Sequence, residues 1–174
     1  MIKRTKASKL YNKDWIKFIK NHEVKKGAFN LWVTKPEYNF GYKIFTNAWM
    51  QPRKLIKEKE DIMTLSPIDL DRMFKLLTKA FELSCCPKPI DIFANKSISG
   101  IKIEKAAKAS EELYDNRCKE INFEGLKELL EENMVKYLSD TIGPGNYGEI
   151  DGKLVIIDFD AVTLNRCLLS DDFK

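Results

Sequence analysis

The chain has one histidine, His22, among its 174 residues. A lone imidazole excludes hydrolase triads that need a better placed second histidine, and it leaves little for a zinc site. His22 itself reads as an incidental surface residue. Cysteine is scarce too: Cys85, Cys86, Cys118 and Cys167 show no metal-ligand spacing. Adjacent Cys85 and Cys86 do not easily bridge to each other and read as small apolar core fillers. No apolar run approaches the ~18 residues of a membrane span, and no secretory signal pattern is present. A reduced, cytoplasmic protein away from the membrane is therefore expected. Repeats, low-complexity tracts and linkers are also missing. Thirty basic against twenty-six acidic residues give a net charge of only +4. The positive charge leans to the N-terminus, where Lys3, Arg4, Lys6, Lys9, Lys13, Lys17 and Lys20 face one acid, Asp14. Such a run suits nucleic acid or a membrane surface, and more ordinarily a solvated helix face.

With 44% apolar and 32% charged residues the chain has enough for a packed core. Residues 8–21 carry Leu10, Tyr11, Trp15, Phe18 and Ile19 at helical spacing. Residues 27–45, rich in aromatic and β-branched side chains and broken by Lys35-Pro36-Glu37, predict two antiparallel strands over 27–34 and 40–46. A charged helix is expected over 51–65, stopping at Ser66-Pro67. A second starts there, with Leu70, Met73, Phe74, Leu77 and Phe81 on one face. Two strands joined at Ala94-Asn95-Lys96-Ser97 follow within 89–106. After a polar stretch, Phe123, Leu126, Leu130, Met134 and Leu138 predict one amphipathic helix over 122–138. A Gly143-Pro144-Gly145-Asn146 turn, a loop and a strand over 153–157 close the pattern. Segregated helices and strands make the fold class α+β.

Taken in order, these pieces resemble a minimal protein-kinase-like chain, with features of the aminoglycoside-type small-molecule kinases. Gly27-Ala28-Phe29 stands where that family has its glycine-rich loop, although Lys25 and Asn30 replace two of the glycines. Tyr42-Lys43-Ile44-Phe45 looks like the strand motif whose lysine binds the α- and β-phosphates. The helix over 51–65 stands where the family places the glutamate that pairs with that lysine, which implies Glu58, or else Glu60. The strands 89–106 look like those leading into the hinge, so Ile103, Glu104 and Ala106 are implied around adenine. Ser139-Asp140 through Asn146 resembles the catalytic loop, and Asp158-Phe159-Asp160 the Asp-Phe-Gly segment. The resemblance implies a catalytic role for Asp140 and Lys43, and magnesium held by Asn146 and Asp158. Hard oxygen donors with phosphates suit magnesium.

Several features depart from that pattern. Asn146 follows Asp140 by six residues where the family has five, and Ser139, Ile142 and Asp160 replace its usual arginine, basic residue and glycine. Only sixteen residues follow Asp158. The resemblance thus implies an antiparallel N-lobe-like region over 1–106, with one packed helix, and a much reduced helical C-lobe-like region over 107–174. The expected function is ATP- and Mg²⁺-dependent phosphoryl transfer to protein Ser/Thr or to the chain itself. The alternatives are a catalytically inactive kinase-like module that binds nucleotide or a protein partner and, more weakly, a basic nucleic-acid-binding protein. A homo-oligomer is left open. Blander readings stand beside these. Lys43 reads equally as a strand-edge charge, residues 143–146 as a plain turn, and Asp158 as a carboxylate ending a buried strand.

Overall fold

A proline turn folds the first clear pair of strands together. Pro36 follows Lys35, whose carbonyl accepts from the Tyr38 amide at 3.1 Å, and a fixed proline φ suits the second position of such a turn. The computed structural model describes residues 18, 20–26, 30–45, 67–94, 99–141 and 143–158. They form a mixed α/β structure around an antiparallel sheet of five strands. These are β1 (Glu23–Lys26), β2 (Asn30–Thr34), β3 (Phe40–Phe45), β4 (Pro89–Ala94) and β5 (Ser99–Glu104), in the order β1-β2-β3-β5-β4. Contacts divide the chain into two compact units, Met1–Phe74 with Ile90–Ile103, and Lys75–Pro89 with Glu104–Lys174.

In the first unit, β1 was not anticipated. Its Glu23, Val24 and Lys25 are all exposed, so no buried alternation marks it in the sequence. Of the strand expected over 27–34, Asn30–Thr34 form β2, and residues 27–29 lie outside the described residues. Val33 and Ile44 are fully buried, and the register sets Leu31 opposite Ile44, Trp32 opposite Lys43 and Val33 opposite Tyr42. Lys43 and Ile44 are neighbours, so their side chains point to opposite faces, yet both are buried. β3 is therefore covered on both sides, between β2 and β5. That position removes the reading of Lys43 as an edge charge. The His22 ring stacks on Phe18 at 5.5 Å and stands edge-on to Tyr38 at 6.1 Å. Phe18 in turn stacks on Phe93 at 4.8 Å.

Helix α1 (Pro67–Glu82) starts with proline, which suits the first helical position. Leu70, Met73, Leu76, Leu77 and Ala80 are buried along it, whereas Phe81, expected on the apolar face, is 37% exposed in the last turn. The helix ends in a Schellman arrangement. Ser84 N donates to Phe81 O at 2.7 Å and Cys85 N to Ala80 O at 2.9 Å, while Ser84 adopts φ 59°. This ending delivers Cys85 and Cys86 into the core of the second unit, both buried as expected.

The rest of the second unit departs from the sequence reading in three places. The polar stretch after residue 106 supplies β6 (Ala107–Lys108), α2 (Glu111–Asp115) and α3 (Arg117–Glu120). Ser110 caps α2 by accepting from Leu113 N at 3.2 Å. The single helix expected over 122–138 is broken into α4 (Phe123–Leu126), α5 (Glu132–Lys136) and a wide π-helical turn, Tyr137–Thr141. Its apolar stripe is nevertheless real, since Leu126, Leu130, Met134 and Leu138 are all buried. A strict four-residue spacing drifts by about 40° per step around a 3.6-residue helix. Changes of winding keep all four on the buried side. Finally, the expected loop after Asn146 contains a strand: β7 (Tyr147–Ile150) pairs with β6 and with β8 (Lys153–Ile156).

Candidate functional site

Asn146 and Asp158 lie at one end of the β7–β8 hairpin. Asp151 and Gly152 join its strands with φ of 50° and 75°, the left-handed pair that a two-residue type I′ turn requires. The register then runs from Ile150 opposite Lys153 to Tyr147 opposite Ile156. One step further, Ile157 N donates to Asn146 O at 2.8 Å. The backbone thus brings the two residues together although twelve positions separate them. Pro144–Asn146 form a short 3-10 turn, and the Asn146 side-chain nitrogen donates to Gly143 O at 3.4 Å. Both residues are half-buried.

The turn before them is held from outside. Widening at Tyr137–Thr141 disturbs the regular helical bonding, and two successive carbonyls take side-chain donors instead. Tyr147 Oη donates to Leu138 O at 2.5 Å, and Arg117 Nε donates to Ser139 O at 2.9 Å. Tyr114 stands edge-on to the Tyr147 ring at 5.4 Å, and the Arg117 guanidinium lies 4.8 Å from the centre of the Tyr114 ring. Burial pushes the Tyr147 hydroxyl up to about 12, partly opposed by the positive charge of Arg117. Asp140, carried by this turn, is exposed and accepts from Ser139 Oγ at 2.8 Å. Arg117 and Tyr147 escaped the sequence reading; neither falls in a spacing that marks it as a clamp.

In the other unit, Lys43 is 7% exposed. It shares a sheet face with Trp32, directly opposite, and with Gly41, two residues away. Gly100 of β5 allows the backbone of β3 to come close: a β-carbon there would stand 2.1 Å from Lys43 O. Near the end of β5, Ile103 is buried and Glu104 and Ala106 are half-buried. Glu104 N donates to Lys88 O at 2.9 Å, while its carboxylate accepts from Lys88 N at 3.3 Å. Gly27, Glu58 and Glu60 lie outside the described residues, as do Asp160 and nearly all of the basic N-terminal run.

Among the described residues no three His, Cys, Asp or Glu side chains cluster as a metal site. A magnesium held by one amide oxygen, one carboxylate and phosphates needs no such cluster. Asn146 and Asp158 carry those two donor types, and Asp158 directly follows Ile157, whose amide bonds to Asn146 O. No helix of the described residues is long and apolar enough to cross a membrane. Neither a protein-family model nor a curated protein matches the chain.

Proposed function

We propose that the chain is an ATP- and Mg²⁺-dependent phosphotransferase of reduced, protein-kinase-like form, acting on a protein hydroxyl or on itself. The observation that carries this reading is the meeting of Asn146 with the Ile157-Asp158 segment across the β7–β8 hairpin. A buried Lys43 on the third strand of a five-stranded sheet supports it, since kinases carry their phosphate-binding lysine on the third strand. Lys43 holds phosphate oxygens by charge. Asn146 Oδ1 and the Asp158 carboxylate are the metal ligands, and bound magnesium neutralises charge on the phosphates. Asp140 orients the acceptor hydroxyl and takes its proton. Phosphoryl transfer asks little covalent chemistry of a protein, so placement of these groups does most of the catalysis.

A second reading, a nucleotide-binding module without turnover, draws on Asp140. That carboxylate is exposed and bonded to its neighbour Ser139, and its spacing to Asn146 is one residue long. Incubation with γ-labelled ATP and magnesium separates the two. Under the first reading label appears on the chain or an added protein, and both Lys43→Ala and Asp158→Ala abolish it. Nucleotide binding that depends on the same two residues, with no label on any acceptor, establishes the second. If ATP fails to bind the folded wild-type chain, both fall.

A further inference from the structure

Trp32 lies flat on the sheet beside Lys43. A β-carbon built on Gly41 would stand 2.3 Å, 2.5 Å and 2.7 Å from Cζ2, Cη2 and Cε2 of Trp32. These are three consecutive ring atoms at nearly equal distances. An approach in the plane of the ring would leave the flanking atoms much farther away than the nearest one, so Gly41 meets the face of the indole. The missing side chain at Gly41 is what lets the ring settle there. Its other face points away from the strand, and Trp32 is only half-buried. On the same face, one pleat along, stands the buried ammonium-bearing side chain of Lys43, at about 7 Å of strand rise from Gly41. An aromatic plane and a cation on one face of the sheet match the two ends of a nucleotide, a base and a phosphate chain.

We infer that Trp32 is the platform on which the nucleotide base stacks, an assignment that rests on the reading of Lys43 as the phosphate-binding group. Stacking acts on the π-face that every base has, so it discriminates poorly among bases. The site therefore accepts ATP and GTP alike, and the base contributes affinity without setting much specificity. If Trp32 only packs on Gly41, its replacement lowers stability but leaves the ranking of ligands unchanged.

Calorimetric titration of the full chain with ATP, GTP and inorganic tripolyphosphate, each with magnesium, tests this. ATP and GTP are expected to bind within about threefold of each other, and tripolyphosphate about tenfold or more weaker. Trp32→Phe keeps most of that gap. Trp32→Leu fills the space over Gly41 without an aromatic face and brings both nucleotides to the affinity of tripolyphosphate, whose own binding stays unchanged. The inference is overturned if wild-type affinities for ATP and tripolyphosphate are equal, or if Trp32→Leu preserves the gap. In that event weaker binding of all three ligands by Lys43→Ala leaves the phosphate assignment standing. Failure of all three to bind the wild-type chain removes the phosphate assignment itself, and the stacking role with it.

Discussion

Two residues with positive φ show how single positions tune this chain in opposite directions. Ser84 occupies the left-handed position of a Schellman ending at φ 59°, where glycine carries no β-carbon penalty. Ser84→Gly is expected to stabilise the protein by about 0.5–1 kcal/mol, read as a shift of the urea midpoint at constant slope. Gly152, at φ 75°, already has the favoured residue, and nothing lies within 4 Å of where its β-carbon would be. Gly152→Ala therefore loses about 1–2 kcal/mol from backbone conformation alone, in the same measurement. Tyr147 gives a pH signature. Its hydroxyl titrates near 12 in the native state, against about 10 when unfolded. Between those values the unfolded chain binds fewer protons than the native one, so stability falls as pH rises through about 10 to 12 and is lost no further above. Tyr147→Phe abolishes that component and leaves Leu138 O without its donor, at a cost of about 1–3 kcal/mol near neutrality. Urea denaturation of both proteins from about pH 9 to about 11.5 shows the difference as a steeper fall in the wild type, since Cys85 and Tyr42, whose hydrogens burial also holds on to, keep part of the slope in the variant.

At the scale of elements, the β3–β5 contact is the least tolerant. A methyl group on Gly100 would meet Lys43 O at 2.1 Å and the Ile44 side chain at 2.9 Å, and backbone held in a sheet cannot move aside cheaply. Gly100→Ala is expected to cost about 3 kcal/mol, measured by thermal unfolding, and to weaken ATP binding because the strand that yields is the one carrying Lys43. Elements differed in how readable they were, for physical reasons. α1 was legible because Pro67 marks its start and a regular stripe from Leu70 to Leu77 faces the core. β1 was not, since an exposed strand has no alternation to display. In residues 122–138 the stripe was legible but its continuity was not: spacing reports which side chains are buried, whereas winding depends on what they pack against. β7 carried a usable signal that the reading passed over, the Asp151-Gly152 pair, which favours type I′ hairpins. That turn also explains the candidate site. It fixes the register that brings Asn146 to the Ile157-Asp158 segment, so this part of the site was recoverable from local sequence. Arg117 and Tyr147 were not recoverable, because they act on Ser139 and Leu138 only once the fold has brought the segments together.

For the whole molecule, the chain divides into two compact units. α1 begins in the first unit and ends in the second, and β4 and β5 likewise cross the boundary close to Pro89 and Glu104. The chain thus passes between the units three times, at continuous helix or strand backbone. A nucleotide that binds only the folded state raises unfolding free energy by RT ln(1 + [L]/Kd), about 2.7 kcal/mol at a hundredfold excess over Kd. For a chain of this size that is a rise in Tm of several degrees. The proposed division of labour predicts how substitutions reduce it. Asp158→Ala should remove the extra shift that magnesium adds while keeping the smaller shift caused by ATP in chelator. Lys43→Ala, in the other unit, should reduce the shift with and without the metal, since it acts on the phosphates directly. Each protein is scanned with ATP alone, with magnesium alone and with both. Equal magnesium dependence in wild type and Asp158→Ala would detach the hairpin carboxylate from the metal, and an unchanged ATP shift in Lys43→Ala would detach the sheet lysine from the phosphates.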